Sequence, residues 1–254
     1  MIGRLFNRLR GRRWLEIVIP SLLLVAAVLI CTQQPTILTH MQNLVWDSFQ
    51  RNKPRIYQPL PVRIVDIDED SLARLGQWPW PRTELARLMD RLTELGAATV
   101  ALDILFSEPD RISPKNLQNF FGNDSNNTEL NDALSLLPDS DAVLAESMRQ
   151  IPTVTAYALL GDERVTSSPA TKHGIAAAGD DPLIFLRNFP GAVSTLPVLE
   201  EAAVGNGAVN YVPDSDNVIR RAPMLLAHIK ETVPTLAMEA LRVAQGASTY
   251  VVKS

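Results

Sequence analysis

The sequence contains few of the residue types that most often carry catalysis or hold a metal. Its single cysteine, Cys31, lies at the end of an apolar N-terminal run, so no intramolecular disulfide can form. The three histidines, His40, His173 and His228, are scattered along the chain, and no nucleophile-elbow motif accompanies them. We therefore expect a chain without catalytic residues, resident metal or cofactor, which depends on its apolar core for stability.

Positive charge is scarce outside the N-terminus. Residues 33–254 hold 19 Lys or Arg against 27 Asp or Glu, which gives a net charge of −8. A surface of this sign repels phosphate backbones, so a nucleic-acid partner is not expected. The first 13 residues are the exception, since they hold five arginines and no acid.

An apolar segment follows this basic stretch, and residues 17–31 carry no charge. The range 14–32 has 19 residues, which is about 28 Å of helix and close to the thickness of a hydrocarbon core. Arginines concentrate on the cytoplasmic flank of membrane helices. The sequence therefore predicts a cytoplasmic basic tail at 1–13, a single transmembrane signal anchor at 14–32 and an extracytoplasmic main domain. A cleaved signal peptide is the alternative, but no A-x-A site follows the apolar run.

Residues 33–60 are predicted to form a stalk helix and a linker. Apolar side chains recur there every three to four positions, at Leu38, Met41, Val45 and Phe49. Such a stripe requires a partner, which is either the core of its own domain or the same helix of a second copy in a homodimer. The pattern leaves both partners open.

The main domain, residues 61–254, opens with a pattern typical of a parallel sheet. The β-branched run Val62–Asp68 predicts a strand, the apolar spacing over 82–95 predicts a helix that ends at Gly96, and the continuous apolar run at 98–106 predicts a second strand. A right-handed crossover makes these two strands parallel. The predicted fold is α/β: an N-terminal transmembrane helix followed by a mixed, partly parallel sheet with flanking helices.

Acidic residues fall at the edge of the sheet where these parallel strands end. Even-numbered positions of the first strand share a face, so Asp66 and Asp68 project together, and Asp103 lies near the end of the second strand. Crowded carboxylates require a cation. We expect Arg82 to pair with Asp68 or Asp103 as a structural lock, because its planar fork suits bidentate pairing. A hard metal is the alternative, with Glu108 among the few further oxygen ligands. This cluster is the candidate ligand-binding or structural site.

Two tryptophans that alternate with prolines, Trp78 and Trp80, form a second candidate feature. They could line a ligand-binding wall or plug one end of the core. The plug is favoured, because an aromatic ring held between prolines is a rigid apolar body.

The run of residues 207–229 predicts two strands joined by a turn. Asp214 and Asp216 lie in that turn, where capping of backbone N–H groups is favoured over calcium binding. Arg220 and Arg221 are adjacent in the predicted second strand, so they point to opposite faces and only one can reach an interior acid.

The remaining segments alternate between helix and strand. Glu129–Gln150 is predicted to be helical with an interruption at Pro138, and Ile151–Leu160 is predicted to be a strand. A helix is expected after Pro234. The last residues, Tyr250–Ser254, have the pattern of a strand just begun, so we expect the domain to be incomplete at its C-terminus.

Four motifs spread over residues 36–252 are distinctive in combination. They are Val65-Asp66-Ile67-Asp68-Glu69-x-Ser71-Leu72, Gly76-x-Trp78-Pro79-Trp80-Pro81-Arg82, Gly96-Ala97 leading into Asp103-Ile104-Leu105-Phe106-x-Glu108-Pro109, and Asp214-x-Asp216-x-Val218-Ile219-Arg220-Arg221-Ala222-Pro223. The chain thereby resembles the CHASE type-two domain, an extracytoplasmic sensor of bacterial cyclases, histidine kinases and protein kinases. The resemblance implies an input module, in the inner membrane of a bacterium, that detects a small molecule or an envelope condition. Its output would come from a cytoplasmic effector outside this chain, most readily a class III adenylate or guanylate cyclase, or a kinase.

Two other functions are open. Asp66 and Asp68 are faintly similar to the D-x-D nucleophile strand of magnesium-dependent phosphatases of the haloacid-dehalogenase type, with Gly179-Asp180-Asp181 as a conceivable magnesium-binding pair. Asp70 stands where that motif has Thr or Val, which weakens the match. The third hypothesis is a membrane-tethered binding protein without an output of its own.

Overall fold

The computed structural model describes residues 17–29, 32–33, 36–121, 128–163 and 168–253. Its helices are α1 (17–29), α2 (Thr36–Asn52), α3 (Glu69–Leu75), α4 (Arg82–Glu94), α5 (Pro114–Phe121), α6 (Thr128–Ser135), α7 (Ser140–Arg149), α8 (Pro197–Ala202) and α9 (Leu236–Ala244), with a 3-10 turn at Pro182–Ile184. Its strands are β1 (Val100–Leu102), β2 (Thr153–Leu160), β3 (Gly174–Ala178), β4 (Asn188–Phe189), β5 (Gly191–Val193), β6 (Gly205–Ala208), β7 (Leu225–His228), β8 (Glu231–Pro234) and β9 (Thr249–Lys253).

The predicted transmembrane helix at 14–32 is corrected by the structure. The basic tail at 1–13 and residues 14–16 and 30–31 lie outside the described residues, and α1 has 13 described residues. Among the described residues, no helix combines the length and the apolar character needed to cross a membrane.

The chain divides into two compact units. Unit 1 comprises Met1–Ile64 together with Pro213–Arg220, and unit 2 comprises Val65–Val212 together with Arg221–Ser254. In unit 1 the described regular structure is helical, and the segment Pro213–Arg220 forms a turn. All the strands belong to unit 2.

Strand β2 is the centre of the largest sheet, as its run of β-branched and aromatic residues predicts. It pairs in parallel with β1, where Ala101 faces Val154, and with β6, where Ala156 faces Gly207. Near its C-terminal end it pairs antiparallel with β5. The sheet is therefore mixed, and the α/β part of the prediction agrees with the structure. Parallel strands covered on both faces explain why β2 is buried along nearly its whole length.

Helix α4 forms where its apolar spacing predicts it. Leu85, Ala86 and Met89 are buried on one face, in the same apolar core as residues of α7 and α8. The helix ends in a Schellman motif, in which Gly96 N donates to the Thr93 carbonyl and the following N–H donates to the Leu92 carbonyl. Gly96 has φ +77°, a conformation that a side chain would disfavour.

Three further predictions are confirmed. The helical run after residue 128 is interrupted at Pro138, and α7 begins after Asp139, whose side chain accepts a hydrogen bond from Asp141 N at 2.9 Å. A helix follows Pro234. Strand β9 occupies the predicted position near the C-terminus and pairs in parallel with β3.

One strand prediction is wrong and a second is confirmed in part. Val62–Asp68 forms no strand, and the side chain of Ile64 is 91% exposed, so the alternating pattern finds no ladder to join. In the run 207–229 two strands, β6 and β7, do lie on either side of a turn, but the second begins only at Leu225. They do not pair with each other, since β6 pairs with β2 and β7 pairs with β4 and β8.

Candidate functional site

The structure does not gather the predicted acidic residues at one edge of the sheet. The side chains of Asp66, Asp103 and Glu108 are exposed. Asp68 instead caps α3, where its carboxylate accepts hydrogen bonds from the hydroxyl of Ser71 at 2.6 Å and from its backbone N–H at 2.9 Å. These two bonds lower the pKa of Asp68 below its usual range. Without a first strand, there is no shared strand end to hold the carboxylates together.

Arg82 is buried in unit 2 and is enclosed by polar groups. Its Nε donates to Asp141 Oδ1 at 3.2 Å, its Nη2 donates to the backbone carbonyl of Glu108 at 3.2 Å, and its backbone N–H donates to Asp110 Oδ2 at 2.9 Å. Asp110 N in turn donates to Asp141 Oδ2 at 3.0 Å. The guanidinium carbon lies 4.4 Å from the centre of the Phe106 ring, within cation–π range.

The partner of Arg82 therefore differs from the predicted one. The ion pair is made with Asp141 on α7 and not with Asp68 or Asp103. Asp141 lies in the first turn of a helix, where an acid is favoured by the helix dipole alone, so the sequence offered no distinct signal for it. Glu108 contributes its backbone carbonyl and not its carboxylate.

The two tryptophans lie close together but in different environments. Trp80 is buried in the apolar core of unit 2, and its indole N–H donates to the Gly76 carbonyl at 2.8 Å. Trp78 is 38% exposed and meets Trp80 edge to face, with ring centroids 5.7 Å apart. In the structure Trp80 fills the core and Trp78 covers it.

A second cluster of charges lies within unit 1, and we call it the Arg220 cluster: Asp47, Asp214, Asp216 and Arg220. The Arg220 side chain is 7% exposed, and its Nε and Nη2 donate to the two carboxylate oxygens of Asp47 at 2.9 and 2.8 Å. Its Nη1 donates to Asp214 at 2.9 Å and to Asp216 at 2.8 Å, and its Nη2 also donates to Asp216 at 2.7 Å. Asn43, one helical turn before Asp47, donates to Asp214 Oδ2 at 3.5 Å.

Hydrogen bonds between opposite charges shift the pKa values of Asp47, Asp216 and Arg220. The hydrogen bonds from Arg220 hold the pKa of Asp47 and the pKa of Asp216 below their usual range, and the carboxylates raise the pKa of Arg220. Three carboxylates and one guanidinium leave a formal charge of −2. The cluster is therefore a network of charge-assisted hydrogen bonds.

The sequence located part of this network. It placed Asp214 and Asp216 in a turn, and Asp216 indeed caps that turn by accepting from Val218 N at 3.2 Å. Asp47 was missed because its partner lies 173 residues away along the chain. Within the part of the chain that the structure describes, no group of three or more His, Cys, Asp or Glu side chains has the arrangement of a metal site.

A third polar network lies in unit 2 beside the last strand. Glu239 is fully buried and accepts from Arg242 Nη2 at 2.6 Å and Nε at 2.9 Å, and from the Tyr250 hydroxyl at 2.5 Å. Burial first, and then the Glu239 carboxylate, raise the pKa of Tyr250. A Cβ at Gly205 would lie 2.5 Å from Glu239 Oε1, so glycine leaves the space for this carboxylate. The network ties α9 to β9.

A comparison with protein families gives a match that covers nearly the whole chain. The family model described as "CHASE2 domain" matches residues 22–253. No curated protein and no solved structure matches the chain. The matched range includes all the motifs on which the resemblance depends. The chain belongs to the CHASE2 family, whose members are extracytoplasmic sensory domains of signalling receptors.

Proposed function

We propose that this chain is the sensory input module of a receptor and that it relays an extracytoplasmic signal to a cytoplasmic effector outside its 254 residues. The family match over residues 22–253 carries the proposal. Among effectors, a class III adenylate or guanylate cyclase comes first and a kinase second, since these are the outputs that the resemblance implies. The signal is a small molecule or a condition of the cell envelope.

The experiment that tests this proposal uses the full-length gene product in a bacterium that lacks its own adenylate cyclase. Cyclic nucleotides and protein phosphorylation are measured while the osmolarity, the pH and the nutrient supply outside the cell are varied. A second form lacks residues 65–254 and serves as the control. We expect one output to respond to an outside condition in the intact receptor and not in the truncated form. Equal outputs from both forms under every condition would contradict the sensory role.

We further propose that the receptor is a homodimer in which α2 of one copy packs against α2 of the other. The predicted stripe of Leu38, Met41, Val45 and Phe49 lies on the face of α2 opposite to Asp47, by helical geometry. The last three of these apolar residues are 59%, 55% and 67% exposed, respectively. The stripe carries no charge, so two copies can approach without repulsion, and its spacing of three to four residues suits helix pairing.

Sedimentation of the purified chain tests the dimer. Val45→Glu places a charge in the middle of the stripe and is expected to convert dimer into monomer. Gln50→Glu adds the same charge on an exposed position of α2 outside the stripe and is expected to leave the dimer intact. A wild-type chain that sediments as a monomer, or a Val45→Glu variant that remains dimeric, would contradict the proposal.

A further inference from the structure

Helix α2 makes polar side-chain contacts within unit 1. Its one buried residue is Asn43. Neither of the two apolar clusters of buried residues in the described chain includes a residue of α2. Two of its side-chain contacts, Asn43 with Asp214 and Asp47 with Arg220, lead to the same turn. Charged groups therefore contribute to the attachment of this helix.

Arg220 is fully committed to that attachment. A guanidinium has five N–H donors, and those of Arg220 are distributed over two oxygens of Asp47, one of Asp214 and two of Asp216. One side chain thus connects the helix on one side with the turn on the other. An ammonium group, with three donors and no planar fork, could not make the same set of bonds.

The turn is also connected to unit 2 through the backbone at both of its ends. The chain leaves unit 2 after Val212, forms the turn at Pro213–Arg220 within unit 1, and re-enters unit 2 at Arg221. Both ends of the turn are therefore covalently continuous with unit 2. Arg221 follows Arg220 directly, so a displacement of this end of the turn acts on Arg220 through adjacent backbone bonds.

From these observations we infer that the Arg220 cluster is a reversible latch through which the sensory unit controls the stalk helix α2. The inference rests on the proposed function, because it assigns the step that follows detection of the signal. In the closed state the guanidinium fixes α2 to the turn. In the open state the bonds between Asp47 and Arg220 are broken, and α2 is free to change its position or its partner.

A polar latch suits this role because two of its carboxylates are in contact with water. Asp47 and Asp216 are each 26% exposed, so water can replace Arg220 at these oxygens when the latch opens, whereas an apolar core opens only with the cooperative unit that contains it. The latch also leaves the apolar stripe on the opposite face of α2 uncovered. Release of the latch would therefore change the orientation of α2 without exposing further apolar surface.

Amide hydrogen exchange of the full chain tests the latch, with α9 as the internal reference. Arg220→Ala removes the connection, and we expect exchange in α2 to become at least about tenfold faster, the factor that corresponds to the loss of a charge-assisted hydrogen bond. Exchange in α9 is expected to stay at the wild-type rate. Arg91→Ala, which breaks an exposed ion pair with Glu94, is the matched control and should leave α2 unchanged.

A second variant covers the case in which Arg220→Ala fails to fold. Asp47→Asn weakens the latch from the helix side alone, and its matched control is Asp90→Asn, which neutralises an exposed acid on α4. We expect faster exchange in α2 for Asp47→Asn only. Unchanged exchange in α2, or equal acceleration in α2 and α9, would overturn the latch. The experiment measures hydrogen exchange in this chain alone. A result that contradicts the latch therefore does not contradict the proposed function, and the discovery of a different effector does not contradict the latch.

Discussion

Arg82 and Arg220 both have largely buried side chains, but their carboxylate partners differ in number and in exposure. Arg82 lies over the ring of Phe106 and beside Asp141, whose side chain is 8% exposed, so the loss of Arg82 would strand a buried charge. Arg220 has three carboxylates, of which Asp47 and Asp216 are each 26% exposed. Water can therefore partly replace its bonds. The first arginine maintains the fold, and the second is suited to a contact that opens and closes.

The role of Arg82 is testable by its removal. We expect Arg82→Ala to lower the free energy of unfolding by about 3–5 kcal/mol, because Asp141 then remains buried without its cation. Arg91→Ala breaks an exposed pair and should change it by less than about 1 kcal/mol. Urea denaturation of both variants measures the difference. Equal stability of the two variants would mean that Arg82 is not a lock.

The pH dependence of the Arg220 cluster follows from its lowered carboxyl pKa values. The pKa of Asp47 and that of Asp216 lie below the ordinary value of 3.8 in the folded chain. Their contribution to stability is therefore fully present above that value and is lost as the pH falls through the lowered pKa. We expect the difference in Tm between wild type and Arg220→Ala to be constant from about pH 6 to 8 and to shrink only in strong acid. A difference that changes near neutral pH would contradict this assignment.

At the scale of the elements, predictions that depend on residues within one segment are correct. Predictions that depend on residues far apart in the sequence are not. Helix α4 and the position of its C-terminal end were both predicted correctly, because the apolar spacing and Gly96 lie within the segment itself. The lost strand at Val62–Asp68 had the right alternation, but a strand exists only if another strand pairs with it, and that information lies elsewhere in the chain. The candidate site failed for the same reason. The sequence identified Arg82 as a buried anchor, but the choice of Asp141 as its partner depends on how α7 packs against α4.

The end of α4 offers a test of one such local signal. We expect Gly96→Ala to lower the free energy of unfolding by about 1–2 kcal/mol, because φ +77° brings Cβ too close to the following carbonyl. No heavy atom lies within 4 Å of the added methyl group, so backbone strain is the cause. Gly161→Ala, also in open space but without a positive φ, is the matched control and should be close to neutral. Thermal unfolding of the two variants measures the cost of backbone strain, because the added methyl group is uncrowded in both. Equal melting temperatures would contradict the assignment of strain to Gly96.

At the scale of the whole molecule, the family match and the charge balance both favour a sensory role. The match extends over segments of both units, so the helix α2 and the turn at Pro213–Arg220 fall within the family's range together with the sheet. The domain is acidic overall, and its networks of charged side chains around Arg82, Arg220 and Glu239 each connect different elements of the fold.

The last prediction concerns the absence of catalysis in this chain. A phosphatase of the D-x-D type requires both aspartates at the end of a strand, so that one attacks phosphorus and the other transfers a proton. Here Asp66 is exposed in a segment without strand pairing, and Asp68 is committed to the cap of α3. We therefore expect the purified chain with Mg²⁺ to hydrolyse a generic phosphate ester no faster than buffer, and to form no cyclic nucleotide from ATP or GTP. The control is Asp66→Asn, which should behave like the wild type. Magnesium-dependent turnover that Asp66→Asn abolishes would establish the phosphatase in place of the sensor.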